Sequence, residues 1–522
     1  MIKPIKISAF YAIILFIFFT LMYLCPDDGF IMGKDFKIYL PSFNLDFSRK
    51  NKNESSLFAS YTLKNENPYF YINKFFHRYK IKSIYYKDTI IDDTKTKELT
   101  KVTEVYNASM GGAIEFPENE NSLFYPFFSS LDNIKKTGEL ISILHYGDSQ
   151  IEGDRISASL REKFQKKFGG SGVGLIPVVM NSAFYMSLKH KISDNWDKYS
   201  LSDESRYYVD HSRFGVMLSF ARFSPVKYNP ENAEIYESYI DINKSFLAFP
   251  LARKFNTCKM FYGFNNKPFI VEVYKNNSLY DADIIVPVKQ ISSKEWVFNE
   301  EQTAVSIRFR GEDSPDIYGI SFNSASGVSV ENIPLRGSKG LEFTRNDADI
   351  YKKMASMLNV KFVIFQFGIN AVIEVDHNYE AYEQKMVEQL MFIKNCIPDA
   401  QILVVSVSDM ATKHQDDYES YPNIEKIIIA QHNAAFITKC AFWNLFAAMG
   451  GRNSMKTWVY SDPPLAQKDF IHFTFDGANK VGEMLYEAII NEYEKYENAL
   501  AGSPAFSNDT IYNKSDSEQI KN

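Results

Sequence analysis

The stretch "ILHYGDSQIEGDRI", Ile143 to Ile156, decides the fold. An apolar and aromatic run stops on a glycine, a carboxylate and a hydroxyl, and charged residues follow at once. Extended to the left as "ELISILHY" (139–146), the run is mostly apolar, as in a strand covered on both faces. To the right, "ISASLREKFQKKFGG" (156–170) spaces Ile156, Leu160, Phe164 and Phe168 four apart and ends on Gly169-Gly170. That is an amphipathic helix with its stop signal. Ser149 therefore sits in a tight turn between strand and helix, at the sheet edge where open α/β folds place their sites. The helix start adds N–H groups and positive dipole nearby. Gly, Asp and Ser are also common turn formers, so this turn alone does not separate a nucleophile from an ordinary corner.

The same rhythm recurs late in the chain. "KFVIFQFG" (361–368) and "QILVVSVSDM" (401–410) predict further buried parallel strands. Helices are predicted over "YEAYEQKMVEQLMFIKNC" (379–396), "NIEKIIIAQHNAAFITKC" (423–440) and from Gly477, with a strand at "AFWNLF" (441–446). Between these halves the helical period disappears. "FIVEVYKNN" (269–277) and "TAVSIRFRG" (303–311) alternate and turn, which predicts an inserted antiparallel β-sandwich. The expected plan is one α/β domain in two parts, 121–185 and 319–498, interrupted by a sandwich over 186–318. A polar tail, 499–522, is expected to be disordered.

At the amino terminus, two lysines precede nineteen uncharged residues from Ile7 to Cys25, and Asp27 and Asp28 follow. This predicts a transmembrane anchor over 1–25 with the remainder outside the cytoplasmic membrane. A cleaved signal peptide is the rival, but no small-x-small site ends the run. Residues 26–120, polar and Asn/Lys-rich, read as a stalk with irregular structure. The formal charge of −6 gives no reason to expect a nucleic-acid partner. Cys258, Cys396 and Cys440 lack pairing or metal-type spacing and read as small buried hydrophobes. Aromatic residues make up 15% of the chain, and Trp196 and Trp296 are read as sandwich core rather than as a sugar platform.

A serine nucleophile needs a base, and the base needs an orienting carboxylate. Of eight histidines, His145 reads as packed within its strand, and His77, His190, His211, His377, His414 and His432 as surface residues. His472, in "KDFIHFTFDGANKVGEML", follows Asp469 by three residues, so one turn can present both side chains. Donors for a developing oxyanion are offered by the Gly337 N–H in "VENIPLRGSKG" and the Asn370 amide in "FQFGIN". Asp154 and Arg155 read as a structural ion pair.

Gly-Asp-Ser, a glycine loop, Gly-x-Asn after a strand and Asp-x-x-His before the last helix, in that order, resemble the SGNH, or GDSL, hydrolase family. The resemblance covers roughly 121–185 and 319–498 and implies a flavodoxin-like three-layer α/β domain with a parallel sheet. It implies Ser149 as nucleophile, His472 as general base and Asp469 as its orienter. The Ser149 N–H, the Gly337 N–H and the Asn370 side chain would form the oxyanion hole, and no cofactor or metal is implied. Where the family often has Gly-x-Asn-Asp, this chain has Ala371, which leaves local hydrogen bonding open. The long insertion is similar to that of bacterial peptidoglycan O-acetylesterases, which carry a sandwich like a carbohydrate-binding module there. The expectation is a membrane-anchored, periplasmic serine esterase that takes acetyl groups from a polysaccharide. A polysaccharide O-acetyltransferase served by a membrane acyltransferase partner is a second reading, and a non-catalytic glycan-binding protein a third.

Overall fold

The strand that precedes Ser149 spans Leu140–Gly147 (β1), and every residue after Leu140 is buried. A computed structural model describes residues 30–31, 37–38, 112–182, 184–227, 234–373 and 379–501. Four more strands join β1 in register: Gly327–Pro334 (β2), Val360–Gln366 (β3), Gln401–Val405 (β4) and Ala441–Trp443 (β5). Their spatial order is β2-β1-β3-β4-β5, all parallel. This is the flavodoxin-like order, whose reversal of winding falls beside the first strand.

Six helices cover the sheet: Tyr125–Thr137 (α1), Arg155–Phe168 (α2), Ala348–Met357 (α3), Glu380–Cys396 (α4), Ile424–Ile437 (α5) and Phe475–Ala501 (α6). The strand period of two sorts their partners. Ile141, Ile143, Phe362 and Ile364 pack with Ile156, Leu160 and Phe164 of α2 and Val481 and Leu485 of α6. Leu144, Tyr146, Val363 and Phe365 face the opposite way, onto Met354 of α3, Leu390 of α4 and Ile427 of α5. Cutting Phe362 to alanine would remove a fully buried ring and cost about 3–5 kcal/mol. Helices α2 and α6 approach closely at Gly482, where a Cβ would lie 2.8 Å from the Ile156 carbonyl. That contact brings together the loops that lead into the two helices.

The insert is an antiparallel sandwich. One sheet runs Val288–Gln302, Phe255–Asn265, Asp316–Asn323, Ser219–Arg222 and Asp197–Ser200, with Gly174–Ile176 also on Asp316–Asn323. The other runs Ser278–Ile285, Phe269–Lys275, Ala304–Gly311, Tyr236–Lys244 and Leu188–Ile192. Trp196 and Trp296 lie in the core between them, donating their ring N–H groups to the Tyr239 carbonyl and the Asp281 carboxylate.

Three boundaries differ from those expected. Sandwich strands begin at Gly174 rather than after 186, because a three-residue strand among glycines shows no alternation. They end at Asn323 rather than 318, because Asp316–Asn323 is buried on both faces and so hides its period. The α/β domain begins before 121, since Ile114–Glu115 pairs antiparallel with β5.

By its internal contacts the chain divides at 102/103. In the first unit the described residues are Phe30–Ile31 and Lys37–Ile38, an antiparallel pair. The expected anchor over 1–25, most of the expected stalk, and the tail beyond Ala501 lie outside the described residues. Among the described residues, no helix is long and apolar enough to cross a membrane. Cys258, Cys396 and Cys440 are buried free thiols.

Candidate active site

Register places the candidate loops side by side. Gly147 at the end of β1 is level with Pro334 of β2 and Gln366 of β3. Ser149, Gly337 and Asn370 therefore leave the sheet from three adjacent strands at the same height. A Cβ at Gly147 would lie 2.9 Å from the Gln366 carbonyl and 3.0 Å from Ile151, so only glycine lets the chain fold back there. The Leu335 N–H bonds to the Gly147 carbonyl at 2.7 Å and draws the second loop against the first.

Ser149 is half-buried, and its hydroxyl lies 2.8 Å from Nε2 of His472. Nδ1 of the same ring lies 2.8 Å from Oδ2 of Asp469. The other Asp469 oxygen accepts the N–H groups of Ile471 and His472, each at 3.0 Å. Burial pushes the Asp469 carboxyl up, but the bonds from the His472 ring and those two N–H groups outweigh it and hold it at about 2. An ionised carboxylate at Nδ1 fixes the tautomer with the proton on that nitrogen and leaves Nε2 free to accept the Ser149 proton.

The histidine loop is built as a closed turn. The Gln467 N–H bonds to the His472 carbonyl at 2.7 Å, and Phe470 adopts φ +58°. That left-handed conformation costs a non-glycine residue roughly 1–2 kcal/mol. Phe470 is buried and stacked on Tyr418, with centroids 3.6 Å apart and planes 6° apart, which holds it in place.

Gln150, which sequence reasoning passed over, and Arg155 tie this loop to the Ser149 loop. Gln150 donates to the Ile471 carbonyl at 2.7 Å and accepts the Phe473 N–H at 3.3 Å. Arg155 donates to the carbonyls of Ser149, Glu152 and Phe473. Arg155 is thus not the partner of Asp154. That partner is Arg161, which holds both Asp154 oxygens, at 2.6 and 2.9 Å, with both side chains fully buried. Two helical turns along α2 bring residue 161 back over 154, whereas 155 points away.

Asp148, also missed, is buried beside Ser149. It accepts the Gln150 N–H at 3.0 Å and the N–H groups of Gly368 and Ile369 on the Asn370 loop. Burial pushes its carboxyl up to about 6, against those N–H bonds and the nearby His472 ring.

Gly337 is exposed in the turn after β2 with φ +78°. Asn370 lies in the short helix Ile369–Val372 and donates from Nδ2 to the Ser338 carbonyl at 2.9 Å. One of its two amide hydrogens is committed to the Gly337 turn, which links the two expected donor loops; an amide nitrogen carries a second hydrogen. Ala371 is buried among apolar side chains, where an aspartate would be left without solvent.

Beneath the edge, one chain of bonds crosses three strands. Asn332 donates to Ser157 at 2.7 Å and to the Ile151 carbonyl at 2.9 Å. Ser157 lies 2.9 Å from Nδ1 of His145, whose Nε2 lies 3.0 Å from Oε1 of Gln366. Gln366 can only accept through that oxygen, so Nε2 carries the proton and Ser157 donates to Nδ1. His145 is packed within its strand, as the sequence suggested, and burial pushes it down to about 4 despite the Gln366 bond. The other histidines are less uniformly superficial than expected. His211 is partly buried 3.7 Å from Asp316, His432 partly buried 3.3 Å from Glu115, and His190 partly buried. His414 is exposed; His77 and His377 lie outside the described residues. Among the described residues, no cluster of His, Cys, Asp and Glu is placed to hold a metal ion.

The chain is similar to several solved structures. A peptidoglycan O-acetylesterase matches 71% of this chain and 96% of its own length, with a TM-score of 0.55 at 19% identity. An acetyl xylan esterase matches 31% of this chain and 81% of its own, with a TM-score of 0.25 at 13% identity. A GDSL-like lipase from Bacteroides ovatus matches 59% and 98%, with a TM-score of 0.24 at 10% identity. No protein-family model matches the chain, and no curated protein is similar to it in sequence. The first of these likenesses, the one with a TM-score above 0.5, is a likeness of fold.

Proposed function

We propose that the protein is an extracytoplasmic serine esterase that removes O-acetyl groups from a polysaccharide of the cell wall, anchored through Ile7–Cys25. The observation that carries the reading is the relay Asp469–His472–Ser149, with both contacts at 2.8 Å. Ser149 Oγ attacks the ester carbonyl as Nε2 of His472 takes its proton. The carbonyl oxygen becomes an oxyanion, and the Ser149 and Gly337 N–H groups and the Asn370 amide are its donors. The imidazolium, steadied by ionised Asp469, then protonates the departing sugar oxygen, leaving acetyl on Ser149. A water, deprotonated by His472, attacks that ester; acetate leaves and Ser149 recovers its proton.

The His472 side chain is 29% exposed, so water can reach the acetyl-enzyme, and hydrolysis is the outcome proposed. Trp196 and Trp296 are buried in the sandwich core and offer no platform to a sugar. The test is acetate release by the purified protein from p-nitrophenyl acetate and O-acetylated peptidoglycan. The parent should release acetate from both and the Ser149→Ala protein from neither. Equal release by the two proteins refutes the proposal, and acetylated acceptor in place of acetate makes the protein a transferase.

A further inference from the structure

Large aromatic side chains standing in solvent are informative when they cluster in a cleft. Phe184 and Phe475 are each 43% exposed, and Phe246 is 74% exposed. The rings of Phe184 and Phe475 lie 5.4 Å apart at 59°. Phe475 opens α6, three residues after His472. Phe184 arrives from the segment between the first two sandwich strands. Together they wall a cavity of about 410 Å³ whose other sides include Glu152 and Arg155 of the nucleophile loop and Gln467 and Thr474 of the histidine loop. Ser182 and Phe184 also line a second cavity, of about 650 Å³, bounded by Phe246, Leu247, Lys189 and His190. The two cavities share Ser182 and Phe184, and we read them as one groove from the Ser149 and His472 loops onto the insert.

Phe184 is held there. The Met186 N–H bonds to the Gly153 carbonyl at 3.0 Å, and the Ser187 hydroxyl donates to Asp154, which Arg161 grips with two bonds. This gives the buried Asp154–Arg161 pair its task, since no proton step uses it: it fastens the Phe184 segment to the nucleophile loop.

We propose that this groove binds the glycan chain of the substrate, with Phe184 and Phe475 stacking on a pyranose ring beside Ser149 and Phe246 serving sugars farther along. The proposal rests on the esterase reading for the choice of substrate. A pyranose offers C–H faces to aromatic rings and hydroxyls around its rim, and the groove offers both kinds of partner. Arg155, Gln467 and Thr474 line the smaller cavity beside the two rings. An acyl chain would instead need a closed, uniformly apolar tube.

Kinetics on a large and a small ester test this. For Phe184→Ala and Phe475→Ala, kcat/KM on O-acetylated peptidoglycan strands should fall roughly tenfold each, through KM, the worth of one lost stacking contact. Turnover of p-nitrophenyl acetate should stay within about twofold of the parent, and Phe184→Trp should retain glycan activity. Phe246→Ala should lower kcat/KM on long strands and spare short fragments. Unchanged glycan kinetics in both alanine variants overturns the proposal. If the alanine variants lose both substrates equally, binding of deacetylated strands to full-length Ser149→Ala with and without Phe184→Trp decides: retained affinity supports the groove, and no affinity in either overturns it. If the parent hydrolyses no ester, the esterase reading fails alone; the same strands binding the parent and not Phe184→Ala still support the groove.

Discussion

Nε2 of His472 lies 2.8 Å from Oγ of Ser149, although 323 residues separate them in sequence. Packing of α2 against α6 brings the two loops near each other, and Gln150 and Arg155 set the final distance. A displacement of about 1 Å at such a site can cost on the order of 100-fold in rate. Gln150→Ala should therefore lower kcat by roughly 10- to 100-fold with little change in KM, and the unfolding midpoint should move far less than the rate. An equal fall in stability and activity would show Gln150 to be only a core residue.

Arg155 makes a stronger case for geometry over charge. Its fork reaches three carbonyls on two loops, which a single ammonium cannot span. Arg155→Lys keeps the charge, yet kcat should fall by more than about tenfold. Steady-state kinetics on p-nitrophenyl acetate reads this directly, and a parent-like kcat in the lysine variant contradicts it.

Asn370 is expected to serve twice, as a donor to the oxyanion and as the link to Ser338. Asn370→Ala should lower kcat by about 100- to 1000-fold while KM for a small ester changes little. A loss confined to KM would mean that the amide binds substrate without favouring the transition state.

Two buried groups make opposite predictions for stability against pH. Asp148 is raised to about 6 from 3.8, so the folded protein holds that proton more tightly than the unfolded chain. Its contribution is present below about pH 4 and is lost as pH rises through 6. His145 is lowered to about 4 from 6.5, so its contribution is present above 6.5 and is lost as pH falls through 4. Near pH 5 each group contributes a slope of about 1.4 kcal/mol per pH unit, negative for Asp148 and positive for His145. Relative to the parent, urea unfolding should show stability rising more steeply with pH in Asp148→Asn and less steeply in His145→Gln. Identical slopes in the three proteins would contradict the burial of both groups.

Much of this was legible in the sequence because long periodic elements report their own faces. The spacing of Ile156, Leu160 and Phe164 and the unbroken run "KFVIFQFG" define α2 and β3 without reference to the rest of the molecule. The short elements did not announce themselves: Gly174–Ile176 and Ile114–Glu115 are too brief to carry a period, and pairing with distant strands is what makes them strands. At the site, Ser149, Asp469 and His472 could be read because their residue types are tied to a chemistry. Gln150, Asp148 and Arg161 act through partners about 7 to more than 300 residues away, and a glutamine in a polar turn gives no local sign of such a contact. Pairing Asp154 with its neighbour Arg155 followed adjacency in sequence, whereas the helix turns the true partner, Arg161, onto the same side.

The most direct test of the account is the covalent state of Ser149 during turnover. Full-length protein quenched soon after mixing with p-nitrophenyl acetate, digested and examined by mass spectrometry, should carry one acetyl group on the peptide containing Ser149, with the label absent in Ser149→Ala. Acetyl on a different residue, or acetate release undiminished in Ser149→Ala, would contradict the central claim.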